Sequence, residues 1–507
     1  MSRRATQLLH FPAVLLILAL GSMPVTAQEA ARPRIGEFTE RTDVGHPSRA
    51  GSSSYDEKSG TYTLAGSGAN VWANKDAFHF LSRPMKGDFI LTARGHLLGK
   101  GVEAHRKFGW MIRSSLDSSA PHVSAVVHGD GLTSLQFRRT AGAATEEVKS
   151  TLTGADVIQL ERRGTTYIMS VAHYGDTLSA VQVTDVALGD DVRVGLFVCA
   201  HNDTVLERAA LTDVRITVPA RSAFVPYREY IGSNIEILDV KTGQRRIVYH
   251  SPTSVQAPNW TRDGKALIYN QQGKLYRFDL ATSTPTLINT AFATGNNNDH
   301  VLSFDGKMLG ISNQSADNGN KSMVYTVPVT GGTPTQITQK GPSYLHGWSP
   351  DGRTLIFTGI RDSATDIYAI PARGGEERRL THEAMNDGSE YGRDGRIYFN
   401  STRTGLMQLW RMNADGSAPT QLTDDPFNNW FPHVSPDGKS IVFISFMKDI
   451  KPTDHPWYKP VYLRRMPAGG GKPTVLAYLY GGQGTINVPS WSPDGRYVAF
   501  VSNTDKY

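Results

Sequence analysis

FPHVSPDG at residues 431–438 leads directly into the apolar run KSIVFIS. The turn at its centre, Pro436-Asp437-Gly438, has a physical basis, because proline presets φ, the aspartate side chain caps the turn and glycine accepts a positive φ. A turn of this kind between two short apolar runs predicts a β-hairpin. Further copies of the same unit organise the C-terminal half of the chain.

The turn recurs at regular intervals. Its six copies are WTRDG at 260–264, LSFDG at 302–306, WSPDG at 348–352, YGRDG at 391–395, VSPDG at 434–438 and WSPDG at 491–495. Successive turn aspartates are separated by 42, 46, 43, 43 and 57 residues. A period in the forties with an apolar-turn-apolar core is typical of a propeller blade of four strands.

The outer strands show how the array closes. The first five hairpins are each followed by a third strand and a short outer strand, such as PTQIT at 334–338 or PTQLT at 419–423. The sixth hairpin, Val488–Ser502, has no such partners after it, whereas Asn234–His250 supplies an unmatched pair. We therefore predict that residues 234–507 form a six-bladed β-propeller closed by strands from both ends, since an open array would expose two unpaired edges.

The N-terminus has the features of a secretory signal peptide. Arg3 and Arg4 precede the apolar core Phe11–Leu20, and Val25-Thr26-Ala27 provides a small-residue cleavage site. We therefore assign residues 1–27 to a signal peptide. The apolar core is too short to span a membrane, and no cysteine follows it that could carry a lipid anchor. These features predict a periplasmic or secreted protein.

Charge and cysteine content exclude some classes of partner. The net charge is +6 over 507 residues, and no dense Lys/Arg cluster interleaves with aromatic residues. This pattern argues against nucleic-acid binding. The single cysteine, Cys199, cannot form an internal disulfide, and its apolar surroundings in the sequence predict a small buried side chain.

Residues 36–220 predict a separate β-sandwich, because short alternating strands are separated by turns and no copy of the propeller turn occurs. The region resembles concanavalin-like jelly-roll domains. The resemblance is carried by GDFI at 87–90, GWMIR at 109–113, LERRG at 160–164 and VGLFV at 194–198. Residues 221–233 are then a short linker to the propeller. The whole chain is predicted to be all-β.

A catalytic role for the sandwich is not favoured. Glycoside hydrolysis needs two carboxylates at a fixed separation, and no strand carries the alternating E-x-D-x-x-E pattern. We therefore predict a binding or packing module. Trp72, Phe78, His79 and Phe80 are candidates for a sugar-binding platform or, alternatively, for the core.

The propeller resembles the C-terminal propeller of TolB and its relatives. The WSPDG turns at 348–352 and 491–495 and the paired PTQIT and PTQLT outer strands carry the resemblance, which covers residues 230–507. It implies blades shared by periplasmic scaffolds, the lids of prolyl peptidases and oligogalacturonate lyases, so the fold does not define the function. A peptidase would require a G-x-S-x-G elbow, and the sequence contains none.

The loops that lead into the innermost strands predict a ligand site at one mouth of the propeller channel. They are polar and aromatic, as in ATGNNNDH at 293–300. The candidate ligand-binding residues are Asn298, Asp299, His300, Tyr344, His346, Glu390, Asn429, Trp430 and His433. The oversized loop Met447–Pro460 lies on a rim and is predicted to contact a partner or to pack on the sandwich.

Four of these candidates have side chains that bind divalent metals. His300, His346, Glu390 and His433 occupy similar positions in four successive blades, and histidine and carboxylate are ligands for Zn²⁺ or Mn²⁺. The resemblance to oligogalacturonate lyases, which hold a divalent metal with histidines, implies the same possibility. Alternatively, the spacing from the turn differs by one residue between the two pairs, so their side chains face opposite ways.

Two functions follow from these observations. The first is an exported, non-enzymatic binding or scaffold protein that recognises a carbohydrate or protein partner at the propeller mouth. The second is a metal-assisted carbohydrate lyase or hydrolase, in which His346 or His433 acts as the base. A third class, an envelope assembly component like TolB, would place a protein ligand in the channel, but the N-terminal domain differs from the small α/β domain of TolB.

Overall fold

The computed structural model describes Met1 and residues 34–505. Apart from Met1, the predicted signal peptide at residues 1–27 therefore lies outside the described residues. The described chain is all-β, as predicted, with a short 3-10 turn at Ala316–Asn318. Within this described part, no helix is long and apolar enough to cross a bilayer.

The N-terminal domain consists of two antiparallel seven-stranded sheets. Its strands are β1 (Glu40–Val44), β2 (Ser52–Asp56), β3 (Thr61–Gly68), β4 (Phe78–Met85), β5 (Phe89–Leu98), β6 (Lys107–Arg113), β7 (His122–His128), β8 (Thr133–Arg138), β9 (Glu146–Lys149), β10 (Val157–Arg163), β11 (Thr166–Ala172), β12 (Ser179–Val183), β13 (Val192–Cys199) and β14 (Asn202–Thr217). The sheet orders are β1-β4-β13-β6-β7-β8-β9 and β12-β11-β10-β5-β14-β3-β2. One hydrophobic core, which includes Leu81 and Trp110 from the first sheet and Leu91 and Leu160 from the second, joins the two sheets.

Most of the aromatic residues considered for a sugar platform belong to the interior of this domain. Phe78 and Phe80 are fully buried in a second apolar cluster. His79 is also buried, and its Nδ1 lies 2.7 Å from a carboxylate oxygen of Asp43. Trp72 alone among the four has an exposed side chain, so three of these residues stabilise the fold rather than form a platform.

The C-terminal domain is the predicted six-bladed propeller. Its strands are β15 (Gly232–Asp239), β16 (Arg245–Ser251), β17 (Gln256–Trp260), β18 (Ala266–Gln271), β19 (Lys274–Asp279), β20 (Thr284–Ile288), β21 (Asn296–Leu302), β22 (Met308–Gln314), β23 (Ser322–Pro328), β24 (Thr335–Gln336), β25 (Ser343–Trp348), β26 (Thr354–Arg361), β27 (Ala364–Pro371), β28 (Arg378–Arg379), β29 (Asn386–Tyr391), β30 (Ile397–Thr404), β31 (Leu406–Met412), β32 (Thr420–Gln421), β33 (Asn428–Val434), β34 (Ser440–Phe446), β35 (Lys459–Pro467), β36 (Thr474–Gly481) and β37 (Tyr497–Thr504). Strands β17 to β36 form five consecutive four-stranded blades.

The sixth blade joins the two ends of the domain. Its sheet has the order β16-β15-β37, in which Ile235 pairs with both Tyr249 and Val501. An isolated bridge between Trp491 and Val498 adds the innermost segment. The propeller is therefore closed by strands from both ends, as predicted from the repeat. Its first strand begins at Gly232, two residues before the predicted domain start at residue 234.

The hairpin turns repeat one hydrogen-bond pattern. In the fifth blade, Ser435 Oγ donates to Asp437 Oδ1 (2.6 Å), and the same oxygen accepts the N–H of Lys439 (3.1 Å). Gly438 then takes a φ of +71°, which only glycine adopts at low cost. In the fourth blade, Gly392 replaces the serine, so that turn is held by fewer hydrogen bonds.

The innermost strands of the five four-stranded blades each contain a bulge. The register shifts lie between Gln256 and Asn259, Asn296 and His300, Leu345 and Gly347, Asp387 and Glu390, and Trp430 and His433. A bulge redirects the side chains that follow it. Asn298, Asp299, His346 and Phe431, which lie within their bulges, line a cavity at one mouth of the channel, and the first paired residues after each bulge do not follow the same alternation.

Candidate functional site

A cavity of about 930 Å³ lies at the mouth where the innermost strands begin. It is lined by Tyr227, Tyr230, Thr253, Ser254, Gln256, Asn270, Gln272, Gly273, Asn296, Asn297, Asn298, Asp299, Gln314, Tyr344, His346, Thr358, Ile360, Thr365, Met385, Asp387, Phe431, His455, Trp457, Gln483 and Asn487. Side-chain amides are the commonest polar groups in this set, and aromatic rings supply much of its apolar surface. Among these described lining residues, none is lysine or arginine.

Asp387 is the most strongly held carboxylate of the cavity. Its Oδ1 accepts hydrogen bonds from Thr358 Oγ1 (2.6 Å) and from the Gly388 N–H (2.7 Å). The same oxygen lies 3.1 Å from His346 Nε2, and Oδ2 lies 3.8 Å from His455 Nε2. Burial alone would raise the pKa of Asp387, but these donors and the two imidazoles lower it to about 2. Asp387 is therefore an anion at neutral pH.

Asp299 carries the second carboxyl group of the cavity, and its surroundings raise its pKa, whereas those of Asp387 lower the pKa of that residue. The residue is buried, and burial, together with the negative charge of Asp387, raises the pKa of Asp299 to about 6 despite the opposing effect of His346. Burial would lower the pKa of His346, but its hydrogen bond with Asp387 and the charges of both aspartates raise it. The cavity thus holds one anionic carboxylate, one carboxyl with a pKa raised to about 6 and one imidazole whose pKa is raised.

Two segments outside the blade repeat contribute to the wall of this cavity. The insertion between β34 and β35 contributes His455, whose ring packs 4.5 Å from that of Trp430. The same insertion contributes Trp457, whose ring lies edge-on to Tyr230 at 5.5 Å and to Tyr227 at 6.2 Å. The predicted rim loop and the predicted linker therefore meet at the cavity and supply part of its aromatic surface.

Four of the nine predicted ligand-binding residues line the cavity, namely Asn298, Asp299, Tyr344 and His346. The other five are placed elsewhere. Asn429 is buried in a polar network with Ser445 and Asp425, and Trp430 belongs to a hydrophobic core cluster.

The remaining three residues, His300, Glu390 and His433, are the first paired residues after their bulges. His300 Nε2 lies 3.2 Å from the carbonyl oxygen of Ile268, and burial lowers the pKa of His300 to about 4. His433 Nδ1 lies 2.5 Å from Glu390 Oε2, and its Nε2 contacts the carbonyl oxygen of Ile486. All three side chains are therefore held by contacts with other residues of the propeller and do not line the cavity.

The four predicted metal ligands are consequently divided. His346 faces the cavity, the Glu390–His433 pair lies after the bulge on the side of the hairpin turns, and His300 is directed at a neighbouring backbone carbonyl. The bulges explain this division, because they shift the alternation of the strands by different amounts. Among the described residues, these four do not form a cluster of three converging ligand atoms.

Sequence reasoning missed Asp387, Phe431, His455, Trp457 and the two linker tyrosines. Asp387 is followed by Gly388, which has a φ of +59°, and Phe431 has a φ of +55°. An Asp-Gly pair inside a strand pattern signals a bulge, so Asp387 could have been found from the sequence. The insertion and the linker carry no signal that they fold over the mouth.

The architecture and the cavity define a class of protein: a six-bladed β-propeller with a polar cavity at one mouth of its channel. The model of the TolB beta propeller domain matches residues 346–453. An uncharacterized protein of Agrobacterium fabrum is 47% identical over 272 residues, which are 53% of this chain and 92% of that protein. This chain belongs to the TolB-like β-propeller family.

Two further relatives show how far the similarity extends. A solved structure from Agrobacterium tumefaciens, provisionally named TolB, is 45% identical and covers 55% of this chain and all of its own, with a TM-score of 0.53. The Tol-Pal system protein TolB of Anaeromyxobacter dehalogenans is 35% identical over 80 residues, which are 16% of this chain and 18% of that protein. The similarity to the Tol-Pal protein is therefore confined to a small part of both chains.

Proposed function

We propose that this chain is an exported binding protein without catalytic activity, and that its propeller cavity binds a neutral carbohydrate. The observation that carries the proposal is the composition of the cavity wall: side-chain amides, aromatic rings and two carboxyl groups, with no lysine or arginine among the described lining residues. Export rests on the signal peptide predicted at residues 1–27.

Each component of the wall fits a saccharide. Side-chain amides such as Asn298 and Gln483 can donate to and accept from sugar hydroxyls, and an anionic carboxylate such as Asp387 accepts strong hydrogen bonds from them. The exposed rings of Tyr227 and Tyr230 can cover the apolar face of a pyranose. A uronate or phosphate ligand would meet two carboxyl groups and no lysine or arginine among the described lining residues, so a neutral saccharide is favoured.

The N-terminal domain is proposed to be a concanavalin-like jelly roll that serves as a binding or packing module. Its two seven-stranded sheets with a common core are compatible with that fold. Tyr174 Oη donates to the carbonyl oxygen of Leu476 (2.9 Å), and Tyr478 Oη donates to that of Asp176 (2.6 Å). These contacts support a role in holding the propeller in place, since they lie on its outer strand.

A glycan array followed by titration calorimetry tests the proposal on the full mature chain. We expect binding of neutral oligosaccharides and no binding of uronate oligosaccharides. Tyr230→Ala should weaken the affinity at least about fivefold, because an aromatic contact contributes ~1 kcal/mol. Phe292→Ala, at an exposed ring that does not line the cavity, is the matched control. Preference for polyanions, or capture of a protein that Tyr230→Ala leaves unchanged, would contradict the proposal.

A second candidate function is acid–base cleavage of a glycosidic bond in the same cavity. The pair His346–Asp387 favours it, because the carboxylate orients the imidazole as it would for a general base, while Asp299 titrates near neutral pH. A Zn²⁺ or Mn²⁺ ion beside His346 would be part of the metal-assisted form of this candidate. The test is turnover of a bound oligosaccharide, measured with and without added metal. Turnover that is lost in His346→Ala would support the enzymatic function and contradict a function limited to binding.

A further inference from the structure

Histidine and aspartate side chains gather at one edge of the N-terminal domain, outside the propeller cavity. Strands β13, β6 and β7 are neighbours in that order, and Lys107 at the start of β6 pairs with His128 at the end of β7. β13 ends at the same edge of the sheet. The loops there therefore bring His105, Asp130 and His201 next to His128.

The side chains of His105, His128 and Asp130 converge. One potential ligand atom from each residue lies within 4.8 Å of those of the other two. Among the described residues, these three are the histidine, cysteine, aspartate or glutamate side chains that meet this distance condition as a group. His105 Nδ1 lies 3.6 Å from Asp130 Oδ2. The ring of His105 also lies 5.7 Å from that of His128 and 5.5 Å from that of His201.

A second observation points to a ligand at this place. His128 is only 6% exposed, and its Nδ1 has no hydrogen-bond partner among the described residues. A buried polar atom without a partner costs free energy, and such atoms are rare in folded proteins. Its other nitrogen, Nε2, lies 3.3 Å from the Gln136 amide, whose Oε1 also lacks a partner in the described chain. A metal at Nδ1 requires the hydrogen of His128 to be on Nε2, so the amide must turn to accept it and give up the hydrogen bond that Gln136 Nε2 donates to Glu147 Oε1 (3.1 Å).

We propose that His105, His128 and Asp130 bind a divalent transition metal such as Zn²⁺, with water in the remaining coordination position. Two imidazoles and a carboxylate are a suitable ligand set. Asp130 Oδ1 already accepts the N–H of Leu132 (3.0 Å), so Oδ2 is the oxygen left for the ion. The nearby ammonium of Lys107 opposes a cation, but it contacts Asn70 Oδ1 at 3.5 Å.

The ion can reach this site from solvent. The side chains of His105 and Asp130 are 51% and 37% exposed, so both can move the short distance that closes the coordination shell. His128 is held by its strand and provides the fixed ligand. Because the site has an open position, its metal could exchange and could hold a ligand atom from a partner.

The proposal is tested on the full mature chain stripped with chelator, reloaded with Zn²⁺ alone, dialysed and analysed by plasma mass spectrometry. We expect about one equivalent of bound zinc. His105→Ala and Asp130→Asn, each at an exposed side chain, should weaken zinc binding by roughly tenfold or more. His96→Ala and Asp191→Asn are matched controls at exposed positions of the same domain and should retain it.

A further variant distinguishes zinc bound at this site from zinc bound in the propeller cavity. His346→Ala should leave the bound zinc unchanged if the metal lies between His105, His128 and Asp130. Visible absorption of the Co²⁺-loaded protein provides a second readout and should be lost in His105→Ala and Asp130→Asn, with circular dichroism to show that both remain folded. Absence of zinc binding, or binding that persists in these two variants, would overturn the proposal.

Discussion

Asp299 and Asp387 lie in one cavity, yet their surroundings shift their pKa values in opposite directions. Asp387 accepts hydrogen bonds from Thr358 and the Gly388 backbone, whereas the carboxyl of Asp299 has a side-chain hydrogen bond with Asn297. Burial therefore dominates for Asp299 and is overcome for Asp387. The same residue type serves as a fixed anion at one position and as a proton-exchanging group at the other.

This difference predicts opposite effects of the two neutral variants on stability. A carboxyl whose folded pKa is raised from 3.8 to about 6 stabilises the protein below pH 4 and loses that contribution as the pH rises through 6. Asp299→Asn should therefore raise the free energy of unfolding at pH 8 by roughly 2 to 3 kcal/mol and leave it almost unchanged at pH 4. Urea unfolding of the variant and the wild type at both pH values measures this.

Asp387→Asn is the matched control for that experiment. Its carboxyl has a folded pKa lowered to about 2, so its contribution is present above pH 4 and is lost as the pH falls through 2. Asp387→Asn should accordingly destabilise the protein at pH 8. If both variants change stability in the same direction at pH 8, the assignment of the two protonation states is incorrect.

At the scale of the element, the hairpin turn of each blade is a small hydrogen-bonded unit. Ser435 Oγ donates to Asp437 and accepts the N–H of Ser440 (3.0 Å). Ser435→Ala removes both bonds, so we expect the free energy of unfolding to fall by ~1 to 2 kcal/mol. Ser417→Ala, at an exposed turn in the preceding blade, should change it by less than about 0.5 kcal/mol. Equal effects in thermal or urea unfolding would show that the buried turn serine is dispensable.

The same turns explain why the propeller could be predicted from the sequence and the cavity only in part. Each turn is local, so its residues reveal it, and the period of the copies defines the blades. The bulge that precedes each turn in the chain, such as that between Asp387 and Glu390, depends on pairing with the next strand. Glu390 and His433, which follow their bulges, therefore do not line the mouth at which they were predicted, whereas Asp299 and His346 lie within their bulges and do reach the cavity.

The insertion and the linker show a second limit of sequence reasoning. Trp457 and Tyr230 are 227 positions apart in the chain, and they meet because both segments fold over the same mouth. No local pattern encodes such a contact, since it depends on how the blades and the N-terminal domain fix the ends of each segment. The aromatic wall of the cavity is consequently a product of the tertiary structure.

At the scale of the whole molecule, the two domains are joined by buried charge. Glu236 on β15 is fully buried, and its Oε2 accepts a hydrogen bond from Arg215 Nη2 on β14 (2.7 Å). Arg245 of the propeller lies 3.8 Å from the same carboxylate and 3.7 Å from Asp213 of the N-terminal domain. Burial alone would raise the pKa of Glu236, but Arg215 and Arg245 lower it to about 2.

This network predicts that the two domains unfold together and that one substitution uncouples them. Glu236→Gln leaves Arg215 without its charged partner in a buried interface, which costs ~3 to 5 kcal/mol. We expect a single calorimetric transition for the wild type above pH 5, and two separated transitions for Glu236→Gln. Ser502→Ala removes only the hydroxyl that donates to Glu236 Oε1 (2.6 Å) and should keep the single transition at a slightly lower Tm.

The same carboxylate makes the coupling of the two domains depend on pH. Because Glu236 has a lowered pKa, its contribution to stability is present above pH 4.5 and is lost as the pH falls through 2. The wild type should therefore separate into two transitions only in strong acid. Two transitions in the wild type at neutral pH would mean that the interface does not couple the domains.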